Sequence, residues 1–118
     1  MSEESVIVTR KDGIAIIRLN EPKTMNAMSA GIKAGLDANI VPLLEDDSVR
    51  CLLITGTGEA FCAGGDIRNM GRAKPSDTRE RMRRSYRWAG RLLKADKPVV
   101  TAVNGAAAGA GGSLALMG

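Results

Sequence analysis

The chain has 118 residues, enough for one small domain, and its 44% hydrophobic and 25% charged residues are ordinary for a globular protein. Phe61, Tyr86 and Trp88 are its only aromatic residues, which argues against nucleic-acid binding by aromatic stacking. The N-terminus is acidic, no run of 18 apolar residues occurs, and Cys51 and Cys62 form no CxxC pair, so we expect a cytoplasmic protein with reduced thiols and no membrane span.

The chain opens with a predicted β-hairpin. Apolar segments at 6–9 and 14–19 are typical of two strands, and Asn20-Glu21-Pro22 ends the second. Between them lies Asp12-Gly13, a dipeptide that readily takes the positive φ angles of a hairpin turn.

A helix and a strand are predicted next. Ser29 is the expected N-cap, and apolar residues at helical spacing continue to Glu45. Pro42 lies inside that pattern, so we expect a kink or a break near Val41. The continuous apolar run at 49–55 predicts a strand buried on both faces.

The second half of the chain predicts two further helices around a strand. We expect a short helical turn at 67–70, a loop at 71–76, a helix at 77–94, a strand at 99–103 and a small-residue helix at 109–117. The apolar stripe predicted for the helix at 77–94 consists of Met82, Tyr86 (or Ser85), Ala89, Leu92 and Leu93.

Strands that alternate with helices predict right-handed crossovers and a parallel sheet, hence an α/β fold. The last predicted helix has no capping residues and no strand after it. We therefore expect residues 1–118 to be the N-terminal part of one domain, with the C-terminal half absent from this chain. We also expect the segment alone not to be a stable monomer.

Charge is distributed unevenly along the chain. Residues 1–66 carry 6 basic and 10 acidic side chains, whereas residues 67–118 carry 11 basic and 3 acidic ones. Six arginines fall on the predicted helix between Arg79 and Arg91. A solvated helix face is the favoured interpretation, and a surface for nucleic acid, a partner or a phosphorylated ligand is the alternative.

Two loops of small residues, 60–67 and 104–112, each follow a predicted buried strand and lead into a predicted helix. Such loops present backbone N–H groups that suit an anion or a developing oxyanion. The chain contains no His, no zinc-ligand spacing and no nucleophile motif, so no metal site is predicted. Cys62 is interpreted as a packing residue because no His could activate its thiol. A dinucleotide-binding motif is not favoured for the second loop, because Leu114 occupies a position that the motif reserves for Gly or Ala. The alternative to an anion site there is a structural role, in which small residues let a helix pack tightly on the sheet.

Three segments resemble motifs of the crotonase superfamily, which contains enoyl-CoA hydratases and isomerases. Residues 20–28 (NEPKTMNAM) resemble the family's N-x-P-x-x-x-N-A segment. Residues 51–56 and 60–67 resemble its V-T-G…F-x-A-G-x-D signature, and residues 97–105 resemble its K-P-h-h-A-h-x-G-x-x-x-G-x-G segment. The likeness covers nearly the whole chain in the right order, although the family's usual length is about twice this.

The resemblance implies a crotonase-like (ClpP/crotonase) spiral of ββα repeats, truncated here, that assembles as a homotrimer or hexamer. It also implies an acyl-CoA substrate, a place in fatty acid metabolism, and no cofactor other than the substrate's coenzyme A. The resemblance further implies that two backbone N–H groups, which map to Ala63 and Ala110, hold the thioester carbonyl. Asp66 could be a base, but a cap on the following short helix is favoured. The residues implied to bind substrate are Lys23, Thr24, Met25, Ala63, Gly64, Gly65, Asp66, Ile67 and Gly109.

Ser113 departs from the hydratase pattern. Hydratases of this superfamily add water with two glutamates, and Ser113 occupies the place of the first. A serine cannot act as that general base near pH 7. We therefore expect an acyl-CoA enzyme that is isomerase-like or divergent rather than a two-glutamate hydratase. The alternative is a catalytically silent relative, or a nucleic-acid-binding protein that uses the Arg79–Arg91 helix.

Overall fold

The structure is a computed structural model that describes residues 4–65 and 75–118. The turn predicted at 67–70 and the first four residues of the loop predicted at 71–76 lie outside these residues, and the last two residues of that loop are helical instead. The elements in chain order are β1 (Val6–Lys11), β2 (Ile14–Leu19), a 3-10 turn (Pro22–Thr24), α1 (Ala30–Glu45), β3 (Cys51–Gly56), β4 (Ala60–Cys62), α2 (Pro75–Ser85), α3 (Arg87–Leu93), β5 (Val99–Ala102), β6 (Ala106–Ala107) and α4 (Ala110–Ala115).

The predicted hairpin and parallel sheet are confirmed. β1 pairs antiparallel with β2, and Asp12 and Gly13 have φ angles of 52° and 83° at the turn. β2, β3 and β5 are mutually parallel, so that the main sheet has the order β1-β2-β3-β5. A second sheet, which was not predicted from the sequence, pairs β4 with β6 in parallel. The result is an α/β fold.

One face of the main sheet forms the core with α1 and α3. Ile17, Leu52 and Ile54 on the sheet are fully buried, as is Leu36 of α1. The prediction that the third strand is buried on both faces is wrong, because fully buried residues alternate along β3 with half-buried ones. The half-buried residues belong to the opposite face, where Val100 of β5 is 46% exposed.

Helix α1 begins as predicted. The Ser29 side chain accepts a hydrogen bond from the Ile32 N–H at 3.1 Å. The break expected near Val41 is absent, since α1 continues through Pro42 to Glu45. Pro42 lies on the exposed side of the helix, while residues before and after it are anchored in the core, so burial of the opposite side outweighs one lost hydrogen bond.

The long helix predicted at 77–94 is two helices, α2 and α3. Tyr86 leaves the helical conformation between them, with φ −119° and ψ 23°. Its ring packs against Trp88, with ring centroids 5.8 Å apart, and Trp88 is buried in the core. The predicted stripe is therefore wrong at both ends: Met82 is 49% exposed and Leu93 is 66% exposed.

Candidate active site

Pairing of β4 with β6 brings the two small-residue loops together. Ala60 is opposite Ala106, and the Ala108 N–H donates to the Cys62 carbonyl at 3.1 Å. A Cβ on Gly111 would overlap the Cys62 carbonyl oxygen. Only a residue without a side chain allows the start of α4 to lie this close to β4.

Gly64 makes the second close contact between the loops. Its φ is 108°, a conformation that favours glycine, and a Cβ there would lie 2.8 Å from the Ala108 carbonyl oxygen. Gly109 has a φ of 53° and approaches the Gly64 Cα. Gly65 follows Gly64 in the sequence, and Ala110 follows Gly109, so both residues lie beside this contact.

The segment at 23–28, whose first three residues are predicted to bind substrate, lies against the first loop. The Ala63 N–H donates to the Met25 carbonyl at 2.9 Å, and the Met28 N–H donates to the Gly64 carbonyl at 2.7 Å. The Ala63 N–H predicted as an oxyanion donor is thus already occupied by a protein carbonyl. It could reach a ligand only by leaving Met25.

Among the described residues, the N–H groups at this junction that have no acceptor include those of Gly65 and Ala110. Within residues 4–65 and 75–118, neither the Gly65 N–H nor the Ala110 N–H donates a hydrogen bond. Both residues are half-buried. Unpaired N–H groups beside a close backbone contact are the donors that a carbonyl or oxyanion would need.

Comparisons with known proteins place the chain in a family. The enoyl-CoA hydratase/isomerase family profile matches residues 9–118. The chain belongs to this family. It is 40% identical to the 1,2-epoxyphenylacetyl-CoA isomerase of Escherichia coli and 34% identical to the crotonyl-CoA hydratase of Syntrophomonas wolfei, and it covers 45% of each.

A solved enoyl-CoA hydratase from Mycobacterium smegmatis superposes with a TM-score of 0.88 at 30% identity. The match covers 98% of this chain and 46% of that one. The chain thus spans about half the length of its relatives. The predicted superfamily, and the crotonase fold as its truncated form, are confirmed.

Asn26 lies within the family motif at 20–28, but no role for its side chain was predicted from the sequence. It is completely buried and has a φ of 56°. A buried amide with left-handed backbone geometry indicates a residue held by its hydrogen bonds rather than by packing. An asparagine four residues after a proline was the available signal.

The thiol of Cys62 fits the packing interpretation. The side chain is fully buried, and burial raises the pKa of the thiol from its usual 9.0 despite a backbone hydrogen bond from Gly64 that lowers it. A protonated, enclosed thiol is a poor nucleophile at neutral pH. Burial also raises the pKa of Tyr86.

The arginine-rich region is partly neutralised within the fold. Guanidinium groups contact carboxylates at 3.9 Å (Arg84 to Glu80), 3.3 Å (Arg87 to Asp37) and 3.2 Å (Arg91 to Glu45). Exposed pairs of this kind contribute little stability. They do reduce the positive charge offered to a polyanion, which favours the solvated-face interpretation.

Two predicted site residues, Asp66 and Ile67, lie outside the described residues. Ser113 is exposed on α4, and its N–H donates to the Gly109 carbonyl at 3.1 Å. Among residues 4–65 and 75–118 there is no cluster of His, Cys, Asp or Glu that could hold a metal ion. None of the helices in that part of the chain has the length and hydropathy needed to cross a bilayer.

Proposed function

We propose that this chain belongs to an acyl-CoA-binding enzyme in which two backbone N–H groups stabilise the enolate of a thioester. Removing a proton next to a thioester carbonyl places negative charge on one oxygen. Two oriented N–H donors stabilise that charge by several kcal/mol, about 3–4 for a single donor in a comparable site. The observation that carries the proposal is that the Gly65 and Ala110 N–H groups, at the junction of the two loops, have no acceptor among residues 4–65 and 75–118.

We assign the two donors to Gly65 and Ala110. The Ala110 donor is the one implied by the resemblance, whereas Gly65 replaces Ala63 because the Ala63 N–H is bonded to Met25. Small residues at both positions leave room for the thioester. Lys23 and Thr24 precede Met25 in the segment bonded to this loop, which supports their proposed role in holding coenzyme A.

The proposed reaction is a proton shift rather than a two-glutamate hydration. Ser113 cannot serve as a general base, and the proton acceptor would come from elsewhere in the protein. Isomerisation needs one group that removes a proton and returns it at a second carbon. The predicted homotrimer or hexamer, and a role in fatty acid metabolism, stay predictions.

The test compares two reactions of the protein expressed from its complete gene. We expect measurable isomerisation of a 3-enoyl-CoA and weak hydration of crotonyl-CoA, each followed by absorbance of the conjugated thioester. Ser113→Glu should raise hydration if a second acid is available, while the control Ser113→Ala should not. Fast hydration of crotonyl-CoA by the unmodified protein would show that the assigned mechanism is wrong.

A further inference from the structure

Two asparagines, one before the turn between β3 and β4 in the sequence and one after it, form hydrogen bonds with that turn. The Asn26 Oδ1 accepts the Glu21 N–H at 2.8 Å, and its Nδ2 donates to the carbonyls of Thr57 and Ala60, each at 3.0 Å. Its side chain therefore uses its acceptor and both donor hydrogens. These bonds connect the segment at 21–26 to the start of β4.

Asn104 makes the same kind of contact from the chain after β5. Its Oδ1 accepts the Gly56 N–H at 3.1 Å, and its Nδ2 donates to the carbonyls of Gly58 at 2.9 Å and Ala60 at 3.2 Å. Asn104 stands two residues before β6, which leads to Gly109 and Ala110. These bonds connect the second loop to the same turn.

Both side chains converge on one atom, the Ala60 carbonyl oxygen. A carbonyl oxygen has two lone pairs, and here each is used by a different asparagine. Ala60 begins β4, the strand that carries the first loop and pairs with β6. The position of this carbonyl therefore depends on both loops at once.

We infer that Asn26 and Asn104 are positioning residues, which fix the two loops in register through the Ala60 carbonyl so that the Gly65 and Ala110 N–H groups converge on one thioester oxygen. The inference rests on the proposed function. Donors of an oxyanion site act only in a narrow range of positions, since a displacement of about 1 Å can cost 10²-fold in rate. Neither asparagine needs to touch the substrate.

The test uses variants that remove the side-chain bonds with little other change. Asn26→Gly keeps the backbone relaxed at a φ of 56°, because glycine adopts this conformation freely. Asn104→Ala truncates an exposed side chain and so keeps the test valid if Asn26→Gly fails to fold. The matched control is Asn39→Ala, which removes a 2.7 Å bond to the Gly35 carbonyl inside α1, far along the chain from both loops.

Two readouts separate positioning from stability in the protein expressed from its complete gene. In each asparagine variant kcat for 3-enoyl-CoA isomerisation should fall about 10- to 100-fold, while KM changes less than about threefold. The infrared carbonyl band of bound [1-¹³C]butyryl-CoA should shift less far to low frequency than in the unmodified protein. Asn39→Ala should change neither. The double variant should lose less than the product of the single losses, because both bonds hold the same carbonyl.

The outcomes distinguish this inference from the proposed function. If the unmodified protein does not bind butyryl-CoA or leaves its carbonyl band unshifted, the proposed function fails and the inference fails with it. If the unmodified protein shifts the band and folded Asn104→Ala or Asn26→Gly shifts it equally with unchanged kcat, only the inference is overturned. Lower thermal stability with unaltered kcat and band position would likewise assign the asparagines a purely structural role.

Discussion

The two small-residue loops look alike in sequence but differ in how the fold uses them. In the first, Ala60, Phe61, Cys62 and Gly64 are buried, and the backbone is bonded to the segment at 25–28. In the second, residues 104–109 are exposed except for a half-buried Ala107. The first loop thus belongs to the core, and the second is placed by contact with it. A run of small residues therefore predicts that two backbone segments lie close together, but it does not reveal which N–H groups donate hydrogen bonds to protein carbonyls there.

The largest expected effect comes from removing the donor on the exposed loop. Ala110 is the first residue of α4, a position where proline is tolerated because its N–H has no partner within the helix. Ala110→Pro should fold normally and reduce kcat by about 10²- to 10³-fold. Ala110→Gly keeps the N–H and should retain most of the rate. Steady-state kinetics, with circular dichroism as the check on folding, measure both; equal activity of the two variants would contradict the assignment.

Hydrogen exchange should distinguish the bonded amides at the junction of the two loops from the unbonded ones. The Ala63 and Met28 N–H groups donate to protein carbonyls and should exchange slowly without ligand. Gly65 and Ala110 should exchange faster, then slow by up to about 100-fold when butyryl-CoA is present at 100 times its Kd. NMR of the labelled protein measures all four amides. Ligand protection of Ala63 with none at Gly65 would restore Ala63 as the donor.

The contact between the loops should depend on one glycine of a neighbouring pair. Gly111→Ala places a Cβ on the Cys62 carbonyl oxygen and should destabilise the fold by about 1–3 kcal/mol. Gly112→Ala meets its nearest atom, the Ala107 carbonyl oxygen, at 3.5 Å and should be neutral or stabilising by up to about 1 kcal/mol. Urea unfolding measures both changes. Similar midpoints for the two variants would mean that the loops do not pack as described.

The smallest expected effect concerns Cys62. Burial raises the pKa of its thiol and so disfavours the reactive thiolate, and iodoacetamide should therefore modify Cys62 more slowly than half-buried Cys51. The raised pKa also makes stability depend on pH. The free energy that the protonated Cys62 thiol contributes to folding is complete below the pKa of the unfolded chain, and it is lost as the pH rises through the folded-state pKa. Cys62→Ala should retain activity. Loss of turnover in a folded Cys62→Ala protein would assign the thiol a chemical role.

Local features of the fold were predictable because they depend on neighbouring residues. The hairpin follows from the conformational freedom of Asp12-Gly13, and the start of α1 follows from the hydroxyl of Ser29. The break between α2 and α3 was not predictable in this way. It arises because Trp88 enters the core, which is a contact with distant residues rather than a property of the helix sequence.

The sequence by itself determined the family, the parallel sheet and the two loops that make up the candidate site. These features depend only on the order of the motifs and on the spacing of apolar residues along the chain. Only the tertiary structure decided which backbone donors remain available. That choice depends on hydrogen bonds between segments about 40 residues apart, such as the bond from the Ala63 N–H to the Met25 carbonyl and the two that meet at Ala60. Every residue carries an N–H group, so no side-chain pattern distinguishes a free one from a bonded one.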